Sequence, residues 1–274
     1  MATGGLALAA EGLGFVYPDG TRALEGVDLR IAAGEQVALF GQNGSGKSTL
    51  VRHFDGLLRA TDGRVLVGGE PVGRRHVADM ARLVGIVFQN PDRQIFAGRV
   101  RAEVAFGPHN LGVRGRELDE RVGAALEAVG LTGVEAVNPY DLGHSRRKLL
   151  GLASVLAMAT PVVVLDEPTT GQDARGVERV RAIVAGLAAT GRTVVAISHD
   201  MTFVAEMFPR LVVMRAGQIV LDGPPADVFA AANWPTLATT YLEPPLPARE
   251  GARLGLGSTP TEASLIEALR RRAE

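Results

Sequence analysis

The stretch Phe40-Gly41-Gln42-Asn43-Gly44-Ser45-Gly46-Lys47-Ser48-Thr49 fits the phosphate-loop pattern G-x-x-x-x-G-K-[ST]. Its flanks are those the pattern needs. Gln36-Val37-Ala38-Leu39-Phe40 is apolar enough for a buried parallel strand, and Ser48-Thr49-Leu50-Val51-Arg52 opens a helix. A glycine-rich turn between them aims backbone N–H groups and a helix N-terminus at one spot, which suits an anion. Gly41, Gln42, Asn43, Gly44, Ser45, Gly46, Lys47, Ser48 and Thr49 are therefore candidate nucleotide-binding residues. Lys47 adds charge at the β- and γ-phosphates, and the Ser48 hydroxyl can ligate Mg²⁺. Lysine is scarce here: Lys47 and Lys148 are the two lysines among 29 basic residues. A compact ammonium kept in a phosphate cradle, where arginine is used almost everywhere else, points to a chemical need.

Composition narrows the classes. The chain has 274 residues, 46% hydrophobic and 22% charged, which suits one large domain or one and a half small ones. A net charge of −1 supplies no field for nucleic acid, and Arg270-Arg271-Arg272 reads as decoration of a terminal helix. There is no cysteine, hence no disulfide framework or thiolate chemistry. No apolar run reaches about 18 residues, and Met1 to Ala10 lacks the features of a signal peptide, so a cytoplasmic protein is expected.

Working outward from the loop, residues 6–16 alternate as a strand before the turn Pro18-Asp19-Gly20. Asp28 to Ile31, Arg64 to Val67 and Val84 to Phe88 read as further strands. From about 91 to 158 the pattern is helical, clearest over Leu118 to Val129. Val162 to Leu165 and Thr193 to Ile197 are continuous β-branched runs, typical of strands buried on both faces, with helix over Val177 to Ala189 between them. Leu211 to Met214 and Gln218 to Leu221 flank Arg215-Ala216-Gly217 as a hairpin. This alternation predicts an α/β fold with a mostly parallel sheet and a helical insert. From Trp234 the prolines 235, 244, 245 and 247 and the glycines to Gly257 read as a linker, ahead of a short helix over Thr261 to Arg272.

Val162 to Leu165 ends in Asp166-Glu167. A carboxylate at the carboxyl end of a parallel strand beside a phosphate loop can hold Mg²⁺, which makes Asp166 the candidate ligand. Glu167, one step further out, can polarise an attacking water. Ile197-Ser198-His199-Asp200 ends another strand; Asp200 or Ser198 can cap the next helix, while His199 can reach a γ-phosphate. Gln89, after Phe88, can join the Mg²⁺ or water shell, and Tyr17 can stack on adenine.

Together these residues resemble the ATP-binding-cassette (ABC) ATPases over roughly residues 6 to 230. The resemblance implies a P-loop NTPase with a RecA-like parallel sheet core, an antiparallel β N-terminal part and a helical subdomain at about 90–158. It implies a nucleotide-binding domain at 1–232 and a C-terminal extension at 233–274. Walker A is 41–48, the Q-loop Gln89, Walker B 162–166, the catalytic glutamate Glu167, the switch histidine His199, and Thr170-Gly171-Gln172-Asp173 the D-loop, with Asp173 toward nucleotide. One motif departs. Where the family has L-S-G-G-Q, this chain has Leu142-Gly143-His144-Ser145-Arg146, ahead of a helix expected over Arg147 to Met158. In the family two such domains dimerise head to tail, and each signature closes over its partner's ATP. Gly143 lacks the usual hydroxyl and His144 puts a side chain where glycine is usual; Ser145 and Arg146 offer a donor and a charge from shifted positions. The expectation is a heterodimer with a non-identical ATPase subunit, whose Walker A paired with this signature is slow or non-hydrolytic.

Gln89-Asn90-Pro91-Asp92-Arg93-Gln94-Ile95-Phe96 is similar to the segment after the Q-loop in ATPases of energy-coupling-factor (ECF) importers, and Phe15 to Gly20 and Val155 to Met158 resemble that branch too. This implies ATP and Mg²⁺ as cofactors, a transmembrane coupling protein and a small substrate-binding membrane subunit as partners, and a place at the cytoplasmic face of the cell membrane. Implied substrates are vitamins or transition-metal ions such as cobalt and nickel, and short coupling helices would enter a groove near the Q-loop. The alternatives are an ordinary ABC transporter ATPase with larger permeases, an ABC ATPase acting on DNA or ribosomes, and a phosphoryl transferase. The second lacks a coiled coil, a tandem cassette or a basic surface here, and the third has no use for Glu167 and His199.

Overall fold

Continuous β-branched runs demand cover on both faces, and the fold supplies it with a sheet on one side and helices on the other. The computed structural model describes residues 4–273. Leu8–Val16 (β1) and Arg22–Ile31 (β2) pair antiparallel around the Pro18-Asp19-Gly20 turn. Gln36–Phe40 (β3) runs through the phosphate loop into helix Lys47–Phe54 (α1). Asp62–Val67 (β4) and Glu70–Pro71 (β5) follow, then the short helix Val77–Met80 (α2) and strand Val84–Val87 (β6). Helices Val100–Asn110 (α3), Gly115–Ala128 (α4) and His144–Met158 (α5) form the insert. Val162–Asp166 (β7), Ala174–Ala189 (α6), Thr193–Ile197 (β8), Met201–Met207 (α7), Arg210–Arg215 (β9) and Gln218–Gly223 (β10) then alternate. Helices Pro225–Val228 (α8), Trp234–Ala238 (α9), Leu246–Arg253 (α10) and Glu262–Ala273 (α11) come last.

The strands form two sheets. The antiparallel one has the order β2-β1-β4-β5, and the larger has the order β10-β9-β3-β8-β7-β6. In the larger sheet β9, β3, β8, β7 and β6 run parallel, and β10 joins the edge as the antiparallel arm of a hairpin. Alternation sorts its side chains between two cores. Ala38, Phe40, Val163, Leu165, Val194, Ala196, Leu211 and Val213 face the helical side with Leu150, Val184 and Phe203. Val37, Leu39, Val162, Val164, Val195, Ile197, Val212 and Met214 face α1 and the antiparallel sheet, with Leu13, Leu24, Leu50 and Phe54. Fully burying each of the Val, Leu, Ile, Phe and Met side chains among them contributes about 1.5–3 kcal/mol. The parallel arrangement brings the carboxyl ends of β3, β6, β7 and β8 to one edge.

Two expectations are corrected. The signature helix begins at His144, not Arg147. Gly143 is its N-cap and accepts from the Arg147 N–H through its carbonyl; without a capping side chain there is no start signal to read at that position. The stretch read as a linker after Trp234 holds α9 and α10, and Leu237 and Ala248 are buried in the helical-side core. Pro235 and Pro247 lie in the first turns of those helices, where a missing N–H costs nothing, so they start helices instead of breaking them.

Candidate functional site

The phosphate loop keeps its shape through close backbone packing. A Cβ on Gly41 would lie 2.1 Å from the Met214 carbonyl oxygen, and one on Gly46, at φ +103°, 2.7 Å from that of Ala23. Gly217, in the two-residue turn between β9 and β10, donates its N–H to the Ser45 carbonyl. Ala216 and Gly217 both have positive φ, as such a tight turn requires, so the hairpin braces the loop. Lys47 folds back over it. Its Nζ donates to the carbonyls of Gly41 at 2.6 Å and Gln42 at 2.8 Å, and to Ser45 Oγ at 3.2 Å. Burial pushes the Lys47 ammonium pKa down, opposed by the charges of Glu167 and Asp166.

Around the loop lies a cavity of about 330 Å³ lined by Tyr17, Asn43, Gly44, Gly46, Lys47, Ser48, Thr49, Gln89, Asp166 and Glu167. Residues far apart in sequence thus meet in one place. Ser48 Oγ donates to Asp166 Oδ2 at 3.4 Å. Burial, then the neighbouring charge of Glu167, pushes the Asp166 carboxyl up; the Ser48 hydrogen bond, Arg52 and Lys47 pull the other way. Two buried carboxylates beside a hydroxyl and an amide are an electrostatic arrangement that a cation relieves. Among the described residues no cluster of three or more His, Cys, Asp and Glu could hold a metal alone. A Mg²⁺ that takes one or two protein oxygens and completes its shell with phosphate oxygens and water fits Ser48, Gln89 and Asp166.

Glu167 follows β7 directly and lies in the left-handed region, at φ +53°. Its N–H donates to the Ile197 carbonyl at 2.8 Å. Its Oε2 lies 2.8 Å from His199 Nδ1 and accepts from Thr170 Oγ1 at 3.1 Å. His199 is exposed while the Glu167 side chain is buried, so the pair spans cavity and surface. Asp200 accepts from the Phe203 N–H and caps α7. The cap and the histidine contact therefore coexist in adjacent residues. Tyr17 lines the cavity mouth and its hydroxyl lies 3.0 Å from Thr49 Oγ1.

The signature residues lie elsewhere. Gly143, His144 and Arg146 are exposed around the start of α5, and none lines the phosphate cavity. Ser145 is committed within the chain: its Oγ donates to Gln172 Oε1 at 2.7 Å, and Gln172 Nε2 donates back to the Ser145 carbonyl at 3.1 Å. The donor expected from Ser145 at a shifted position is thus hydrogen-bonded within this chain. Asp173 caps α6 by accepting from the Gly176 N–H at 2.7 Å and is likewise outside the cavity. Sequence reasoning placed Thr170 and Gln172 in the D-loop and Gln94 after the Q-loop but missed the contacts that they and Lys148 make. The signal for Lys148 was its rarity, which singled out Lys47 by the same logic.

Beside the Q-loop lies an apolar groove of about 260 Å³ that includes Leu57, Val77, Phe96 and Phe106. These four are about half exposed or more, at 53%, 49%, 60% and 50%. Phe96 and Phe106 meet edge to face, with centroids 4.6 Å apart.

Comparison with known proteins agrees with this geometry. A family model described as ABC transporter matches residues 24–170. The energy-coupling factor transporter ATP-binding protein EcfA of Methanocaldococcus jannaschii is 43% identical over 218 residues, covering 79% of this chain and 78% of that protein. A putative ABC transporter ATP-binding protein of Geobacter sulfurreducens is 43% identical over 230 residues, covering 84% and 90%. Among solved structures, cbiO1 of Clostridium perfringens, part of the ABC transporter complex cbiONQ, superposes with a TM-score of 0.75 at 33% identity, covering 90% of this chain and 98% of that one.

Proposed function

The chain belongs to the ABC transporter ATPases, and from that premise we propose that it powers an energy-coupling-factor type importer for a vitamin or a transition-metal ion. The groove beside Gln89 carries this reading. Exposed Leu57, Val77, Phe96 and Phe106 come together along this groove, and an apolar concave surface of this kind suits a short amphipathic helix of a membrane partner. The likeness to EcfA over 79% of the chain and to cbiO1 over 90% of it supports the same branch. No helix among the described residues is long and apolar enough to cross a membrane, so partner subunits would supply the membrane path.

The loop N–H groups from Asn43 to Lys47 and the Lys47 ammonium bind the β- and γ-phosphates of ATP, and Tyr17 stacks on adenine. Mg²⁺, when bound by Ser48, Gln89 and Asp166, would neutralise charge developing on the phosphate oxygens. Glu167 accepts a proton from the attacking water, and His199, hydrogen-bonded to it, orients it and meets the γ-phosphate. Gly143, His144 and Arg146 project away from this cavity, where a second ATPase subunit presents its own nucleotide. With Ser145 held by Gln172, that second composite site lacks the usual hydroxyl donor, which favours a non-identical partner with an intact signature.

Gentle detergent purification of tagged chain from its native membranes, followed by mass spectrometry, tests the reading. The expected companions are a second ATPase, one coupling protein and a small membrane subunit. Two permease-sized subunits would replace it with an ordinary ABC transporter, and a single kind of ATPase would remove the heterodimer.

A further inference from the structure

Lys148 is the second of two lysines in the chain, and the nucleotide cavity does not include it. It lies on the second turn of α5 and is 4% exposed. Its Nζ donates to the carbonyl of Glu167 and, at 2.8 Å, to that of Thr170. Both acceptors belong to the turn that leaves β7, and the first is the residue at φ +53°. A non-glycine residue in that region stays there only when its surroundings hold it. Here the Glu167 N–H is fixed by the Ile197 carbonyl and the Glu167 carbonyl by Lys148. Burial pushes the Lys148 ammonium pKa down, but the charges of Glu167 and Asp166 oppose this, so the ammonium also offsets two buried acids. One turn earlier on α5, Ser145 and Gln172 are joined by two hydrogen bonds. The start of α5 and the 167–172 segment are therefore fastened at three residues of that segment.

We propose that Lys148 is a positioning residue for Glu167: its ammonium holds the Glu167–Thr170 turn in shape and ties it to the start of α5, the segment facing the partner subunit. The proposal rests on the reading of Glu167 as the general base. A compact ammonium with three donors can serve two converging carbonyls in this enclosed space. A lysine kept for packing alone could be replaced by methionine, which is apolar and of similar length.

The test uses the purified transporter complex carrying Lys148→Met, Lys148→Arg or Glu167→Gln, with kcat and KM for ATP, affinity for a fluorescent ATP analogue, and Tm measured for each. A shifted general base costs rate, not binding, so Lys148→Met should lower kcat about a hundredfold with nucleotide affinity unchanged. Lys148→Arg, which keeps donors and charge, should recover part of that loss. Lys148→Met turnover equal to the parent overturns the proposal, as does a joint fall of kcat, nucleotide affinity and Tm that Lys148→Arg does not relieve. If Lys148→Met fails to fold, Lys148→Gln decides: reduced kcat at parental affinity supports the proposal, and parental kcat overturns it. Glu167→Gln separates the two readings, because full turnover in that variant removes the general-base assignment and this proposal with it. Its loss alongside normal Lys148→Met turnover removes only the role of Lys148.

Discussion

Asp55, the C-cap residue of α1, shows how a single buried acid sets pH dependence away from the nucleotide. Burial pushes its carboxyl from 3.8 up to about 6, against the Leu57 N–H and Arg52, which pull it down. A raised carboxyl pKa means that the fold favours the neutral acid. Its contribution is complete below pH 3.8 and is lost as pH rises through about 6. The difference corresponds to about 3 kcal/mol at most. Asp55→Asn stays neutral and keeps the oxygen that accepts from Leu57. It should match the parent near pH 4 and exceed it at pH 8 by about 1–3 kcal/mol in urea unfolding. Equal stability at both values would show that water reaches the carboxylate. At this scale the phosphate-loop residues, Asp166, Glu167 and His199 were legible as residue types following apolar runs. The committed state of Ser145 was not, because its partner Gln172 lies 27 residues away.

Among elements, α5 is the hub of the insert, packing on α3 and α4 and reaching β6 through Gln94. Gln94 Oε1 accepts from the Phe88 N–H at 3.1 Å, and its Nε2 donates to the Gly151 carbonyl at 2.7 Å. One side chain thus joins the Q-loop strand end to the middle of the signature helix. Gln94→Leu leaves the Phe88 N–H without its acceptor in a partly buried place and removes the second bond to the Gly151 carbonyl, which keeps its helical one, and should cost about 1–3 kcal/mol in denaturant unfolding. A variant as stable as the parent would mean that water takes over both bonds. Strand and helix identities were legible here from period and β-branching. Helix starts were not: α5 lacks a capping side chain, and α9 and α10 open with prolines that also occur in linkers.

For the molecule as a whole, the extension buttresses the nucleotide site. Phe229 lies 5.8 Å from Phe40, the last residue before the loop, and the Trp234 indole donates to the Phe229 carbonyl at 2.9 Å. Leu237 and Ala248 are at most 2% exposed in the same core. Deleting residues 234–274 uncovers this face, so the shortened chain should melt lower and be cut faster by protease near Phe229. An unchanged Tm would show that the extension only rests on the surface.

The sequence by itself determined the α/β class, the phosphate loop and the identity of the acids and histidine. Those depend on local pattern: apolar runs long enough to be buried strands, each followed by the residue type its chemistry requires. Only the tertiary structure decided that Glu167 is held in a left-handed turn between Ile197 and Lys148, that Ser145 is already bonded, and that a supposed linker is core. These are contacts between segments distant in the chain. Their free energy comes from burial and from pairing polar groups that burial would otherwise leave unsatisfied, and local sequence pattern does not encode which distant group supplies the partner.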